Sequence, residues 1–140
     1  MLATFLVTMV LVGLSVFVHY EVLRAISSRM EVMTGRPRQR LLVVVSGVLF
    51  AHVTEILIFA GAYVVLPSVG MGTIQGVFSG SFVDYFYLSA SAYTTLGIGD
   101  LFPEGALRFL TAVEALVGLV LIGWSTSFTY LAMRDFWSLH

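Results

Sequence analysis

The chain has 140 residues, 59% of them hydrophobic and only 11% charged, with a formal net charge of −1; soluble domains carry about 45–50% and about 25%. A soluble domain of this size cannot hide that much apolar surface behind a polar shell. The composition therefore excludes a soluble enzyme, a disordered tail and a nucleic-acid binder, and points to an integral membrane protein.

The first apolar stretch runs from Leu2 to about Val18, and its helix can continue through HYEVLRAISSRM to Met30. It lacks a basic leading region and a clean small-x-small cleavage site, so it reads as a spanning helix rather than a signal peptide. Glu21 and Arg24, at i and i+3, predict an ion pair. All seven basic residues are arginines, and Arg24, Arg29, Arg36, Arg38 and Arg40 fall in the first connection. The segment from Pro67 to Pro103 has no basic residue. The positive-inside rule then places the first connection, with its tight turn at Gly35–Pro37, in the cytoplasm. The N-terminus is outside, and the C-terminus, with Arg134, Phe136 and Trp137, is at the inner face of a cell membrane.

Residues 41–66 and 105–133 form two further spans of about the required 20 apolar residues. Between them, 67–80 is a Gly- and Ser-containing external loop, followed by the short apolar piece Phe82–Tyr93. As a helix it would reach roughly 18 Å, too short to cross, so it reads as a re-entrant segment entering from outside. Ser81 and Asp84 have capping-box-like spacing at its start. Phe82, Tyr85, Phe86, Ser89, Ala90 and Tyr93 share one helical face. Cysteine is absent, which excludes disulfides and thiolate metal sites.

Directly after this piece comes TTLGIGD, Thr94–Asp100. Glycines at 97 and 99 let the backbone take left-handed φ at alternate residues, so that successive carbonyls point the same way. Such a row replaces the hydration shell of a bare alkali cation. Non-helical backbone at membrane depth survives only where it lines such a path. The partly negative C-terminal end of the short helix has the right sign to stabilise a cation there.

From about Leu41 to Met133 the chain resembles the potassium-channel pore family. Thr95-Leu96-Gly97-Ile98-Gly99-Asp100 is similar to that family's T-V-G-Y-G-D; Thr94 matches the Thr that commonly precedes it, and Leu101-Phe102-Pro103 the residues that follow. The resemblance implies an all-α integral membrane fold: outer helix 41–66, pore helix 81–93, filter 94–100 and inner helix 105–133. Residues 1–40, an additional helix and Arg-rich turn, make it a bacterial three-helix variant. It implies a homotetramer, because one loop supplies one quarter of a carbonyl ring. It implies passive K⁺ conduction, with Thr95, Leu96, Gly97, Ile98 and Gly99 as ion sites and Thr94 and Asp100 bracing the filter and its outer mouth. No enzyme activity, small-molecule substrate, nucleic acid or cofactor other than the permeant K⁺ is expected, and membrane lipid is the remaining partner. Ile98 departs from the usual aromatic, and Ser91 stands where some members carry a buried acid. A poorly selective monovalent cation channel and a non-conducting sensor or accessory subunit are the alternative readings.

On the inner helix, Ile122, Thr126, Tyr130 and Met133 recur at helical spacing as a cavity or gate face. Gly118 and Gly123 offer either a hinge or close packing, with packing the commoner use. His19, His52, Glu55 and Glu114 are ionisable residues within spanning segments, where such groups are costly and paired or functional. His52 and Glu55 share a helix face, but two ligands on one helix favour a hydrogen-bonded contact over a transition-metal site. Glu55 and Glu114 fall at matching depth, roughly 16 Å below the outer ends of their helices. That depth makes a shared-proton pair, or a pH-sensing cluster with His52, geometrically possible.

Overall fold

The computed structural model describes the backbone of residues 2–33 and 36–137 and side chains through Arg134. Its elements are α1 (Leu2–Val32), α2 (Pro37–Ser68), β1 (Thr73–Gly76), α3 (Phe82–Tyr93), β2 (Leu101–Glu104) and α4 (Leu107–Trp137). Three of the helices, α1, α2 and α4, are long and apolar enough to cross a membrane. The chain is thus a mostly helical membrane protein. Residues 34–35, in the expected turn between α1 and α2, and the side chains of Phe136 and Trp137 lie outside the described residues.

The polar run after Val18 does not end the first helix, which continues to Val32. The second helix starts at Pro37 rather than at 41, because Pro is pre-organised for a first helical position where no N–H is needed. The Arg40 guanidinium donates to the Met30 carbonyl at 2.8 Å and ties the two helices together. Glu21 and Arg24 form the expected pair at 3.2 Å, with both side chains well exposed; such a pair contributes little.

The expected loop 67–80 is in part structured. α2 runs through Pro67 to Ser68, and β1 pairs antiparallel with β2, Thr73 opposite Glu104 and Gly76 opposite Leu101. In a two-stranded ribbon Pro103 sits on an edge, where a missing N–H is tolerated.

Two apolar clusters hold the helices together. One, at the ribbon end, packs Phe59, Tyr63 and Leu66 of α2 with Leu88 of α3, Leu107 and Leu110 of α4, and Ile74 and Leu101 of the ribbon. The other, at the opposite end, packs Leu23 and Ile26 of α1 with Val44 and Val48 of α2 and Ala132 of α4. Between these two sets of positions along the helices fall fully buried polar residues: His19, Glu55, Ser89 and Glu114. The outward surface of α1 is apolar, with Leu6, Val10, Leu14 and Phe17 exposed. That is the inverse of a soluble helix and suits contact with lipid.

Candidate functional site

The short helix α3 is fixed at its start by a capping box. The Ser81 hydroxyl accepts from the Asp84 N–H at 3.3 Å. Asp84 in turn accepts from the Ser79 N–H at 2.8 Å, the Ser79 hydroxyl at 2.6 Å and the Ser81 N–H at 3.2 Å. The Ser79 hydroxyl, followed by these backbone donors, holds the Asp84 carboxyl below its ordinary value. The buried side of α3 consists of Leu88, Ser89, Ser91 and Tyr93. The expected face is therefore kept at Ser89 and Tyr93 but shifted at its start, where Phe82 is exposed.

The helix ends at Tyr93 with Thr94 as its cap, and its last carbonyls are taken up by the chain that follows. The Thr94 N–H donates to Ala90 at 3.0 Å, the Thr95 N–H to Ala92 at 2.9 Å and the Gly97 N–H to Ser91 at 3.3 Å. From there the backbone alternates in hand: φ is +59° at Thr95, +55° at Gly97 and +86° at Gly99. Left-handed residues separated by ordinary ones give a path that neither helix nor strand can follow, and bring carbonyls of successive residues toward one side.

At the far end of the loop Asp100 is held from two directions. The Tyr87 hydroxyl donates to Asp100 Oδ1 at 2.8 Å, and the Val77 N–H donates to the Asp100 carbonyl at 2.9 Å. The bond to Asp100 raises the Tyr87 phenol above its ordinary value. The ribbon thus links the loop before α3 to the residue that closes TTLGIGD.

Below the loop lies an open groove of about 690 Å³ lined by Ile122, Thr126, Tyr130 and Met133, with Thr94 among its other residues. The four inner-helix residues therefore share a surface, as their spacing predicts. The Thr126 hydroxyl donates to its own helix at the Ile122 carbonyl, 2.9 Å away, and Ser127 to Gly123 at 3.1 Å. Gly118 lies hard against the Tyr93 carbonyl, and a Cβ there would overlap it. Gly118 is thus a close-packing glycine between α4 and the C-terminal end of α3. A Cβ at Gly123 would meet nothing within the chain.

The structure separates the buried ionisable residues into two networks. Glu55 gathers three partners: His19 Nδ1 lies 2.8 Å from its Oε1 and His52 Nδ1 3.2 Å from its Oε2. The Tyr93 hydroxyl donates to the same Oε2. His19 Nε2 lies 3.3 Å from the Ser125 hydroxyl on α4. Glu114 instead accepts from the Tyr63 hydroxyl at 2.6 Å and the Ser89 hydroxyl at 2.6 Å. The expected pairing of Glu55 with Glu114, or one cluster of all four residues, is therefore corrected. Depth alone does not fix which face of a helix a side chain leaves from, and each carboxylate finds its own hydroxyl donors. Ser89 Oγ also lies 2.8 Å from the Ile56 carbonyl, so its single hydrogen is shared between the two acceptors and α3 is braced against both α2 and α4.

Residues 51–134 match the sequence profile of a family described as ion channel. The chain belongs to that ion channel family. The profile is of the two-transmembrane potassium-channel pore kind and takes in α3, the loop with alternating hand and most of α2 and α4, while α1 lies outside it. No curated protein and no solved structure matches the channel. The sequence pointed to Tyr93 only as part of a helix face, and not to Tyr63 or Tyr87. Their partners lie far along the chain, and only for Tyr93 did helical periodicity offer a signal.

Proposed function

We propose that this channel conducts K⁺ passively and selectively as a homotetramer, through a filter formed by Thr95, Leu96, Gly97, Ile98 and Gly99. The observation that carries the reading is the alternation of left-handed φ at Thr95, Gly97 and Gly99, in a loop fed by the C-terminal end of a short helix. Carbonyls in that arrangement substitute for water around a cation, and the helix end favours positive charge. The Thr95 hydroxyl serves the innermost site, and Thr94 and Asp100 support the loop at its two ends.

A four-fold assembly is supported by what one chain leaves uncovered. Leu96 and Ile98, in the filter itself, are 62% and 61% exposed. Apolar side chains next to an ion path need a packed wall, and neighbouring copies supply it. The groove bearing Ile122, Thr126, Tyr130 and Met133 then opens on the central cavity, with Tyr130 and Met133 near its inner end. The arginine distribution supports an orientation with the filter outward and both the α1–α2 connection and the C-terminus in the cytoplasm of a prokaryotic inner membrane. No catalytic role and no cofactor beyond the permeant ion belong to this reading.

Ile98 in place of an aromatic favours a second reading, a poorly selective monovalent cation channel. Tracer rubidium uptake into liposomes, with K⁺ or Na⁺ as competitor, separates them. Uptake suppressed by K⁺ and not by Na⁺ is the expected result. Equal competition by Na⁺ supports the second reading, and absence of uptake under all conditions supports a non-conducting sensor.

A further inference from the structure

A metal site was not expected from His52 and Glu55 alone, since one helix supplies only two donors. The fold adds donors from two other elements. The ligand atoms of His19 on α1 and of His52 and Glu55 on α2 all lie within 4.8 Å of one another. Tyr93, the last residue of α3, places its hydroxyl 2.8 Å from His52 Nδ1 and donates to Glu55. We propose that His19, His52, Glu55 and Tyr93 form a binding site for a divalent transition-metal ion of the zinc type, beyond the conduction pathway.

The donor set is two imidazole nitrogens and two oxygens, the borderline mixture that suits Zn²⁺ and excludes Ca²⁺ and Mg²⁺, which take oxygen alone. At zinc–ligand distances of about 2.0–2.1 Å, tetrahedral ligands stand roughly 3.3 Å apart. The observed separations are 2.8 Å for His19–Glu55, 3.2 Å for His52–Glu55 and 2.8 Å for His52–Tyr93. His19 faces Glu55 Oε1 while His52 and Tyr93 face Oε2, so both carboxylate oxygens are at hand for an ion seated among these groups. His52 Nδ1, the Tyr93 oxygen and Glu55 Oε2 touch pairwise, yet imidazole and phenol bring at most two hydrogens for three contacts. A cation facing all three satisfies them together.

The surroundings are those of a ligand shell rather than of packing alone. His19 and Glu55 are fully buried. The second nitrogen of His19 faces Ser125, and the Trp124 ring lies against the imidazole with centroids 5.2 Å apart. Partners on the far nitrogen fix the tautomer and orientation of a ligating histidine. His52 has 14% of its side chain exposed and lines the groove, which gives an ion a way in. A metal here joins α1 and α2 to the residue directly before Thr94, so occupancy acts on the inner end of the filter.

The test uses the full channel in detergent, free of any purification tag and carrying His140→Ala so that His19 and His52 are its only histidines. It is stripped with chelator and then titrated with Zn²⁺ alone and with Co²⁺ alone. Expected are saturable binding of one Zn²⁺ per chain by elemental analysis and the intense visible bands of tetrahedral Co²⁺. His19→Gln and Glu55→Gln abolish both, and Ser125→Ala, which removes no ligand, weakens binding roughly ten- to hundredfold. Helical circular dichroism and elution volume establish that each variant is folded; should a ligand variant fail to fold, Ser125→Ala decides. No saturable binding by the channel, or binding unchanged in the folded variants, overturns the proposal and leaves a hydrogen-bonded contact only. Because the readout is binding, it is independent of whether the channel conducts.

Discussion

Replacing Gly99 with Ala isolates the backbone conformation of the filter from its packing. A Cβ built at Gly99 meets nothing nearer than the Gly97 carbonyl at 4.0 Å, so one chain offers no steric objection. The penalty is therefore conformational. Gly99 has φ of +86°, whereas Thr95, which carries a side chain, sits at +59°, inside the narrow left-handed well open to L-residues. Ala at 99 either bears a cost of about 1–2 kcal/mol or relaxes to negative φ and turns its carbonyl away. In the proposed ring of four copies the penalties add to about 4–8 kcal/mol, roughly three to six powers of ten against the aligned state. Gly99→Ala should therefore assemble normally, as read by native mass measurement, and take up no tracer rubidium in liposomes. An assembled Gly99→Ala channel that conducts K⁺ like the parent would refute the carbonyl-filter argument.

The two inner-helix glycines should respond in opposite ways. Gly118→Ala drives a Cβ into the Tyr93 carbonyl and should lose the folded channel, whereas Gly123→Ala meets open space within the chain and should raise helix stability by up to about 1 kcal/mol, both read by thermal unfolding in detergent. Glu114→Ala removes the shared acceptor of Tyr63 and Ser89; because each hydroxyl keeps a second partner, in Thr111 and the Ile56 carbonyl, the loss should be about 1–3 kcal/mol by the same measurement. The phenol of Tyr87 is raised by its bond to Asp100, so the protonated, bonded form is favoured and the outer latch is lost only as pH rises past that raised value. A difference titration of phenolate absorbance between the parent and Tyr87→Phe should show this tyrosine ionising above the ordinary range, and lower, nearer the ordinary value, in Asp100→Asn.

The helical frame was legible because apolar runs of spanning length and the Gly-x-Gly loop are local signals. Ser81 and Asp84 announced the start of α3 for the same reason: a capping box is written within four residues. The ribbon was hidden because Leu101–Glu104 and Thr73–Gly76 are short, Pro- or Gly-containing runs whose pairing joins segments on either side of α3. The polar layer was half visible. That His19, Glu55 and Glu114 needed partners followed from the cost of burying them, but the partners Tyr93, Ser125, Tyr63 and Ser89 are set by helix rotation, which the nearly uniform apolar surfaces of α1 and α2 do not encode. The same blindness made Glu55 and Glu114 look like a pair.

The claim at the centre is that the alternating backbone of Thr95–Gly99 selects K⁺. The most direct measurement is the reversal potential of the channel in a planar bilayer with K⁺ on one side and Na⁺ on the other. Selective conduction predicts a potential displaced strongly toward the K⁺ equilibrium value, and the displacement should vanish together with the current in Gly99→Ala. A reversal potential near zero, with ample current carried by both ions, would contradict it.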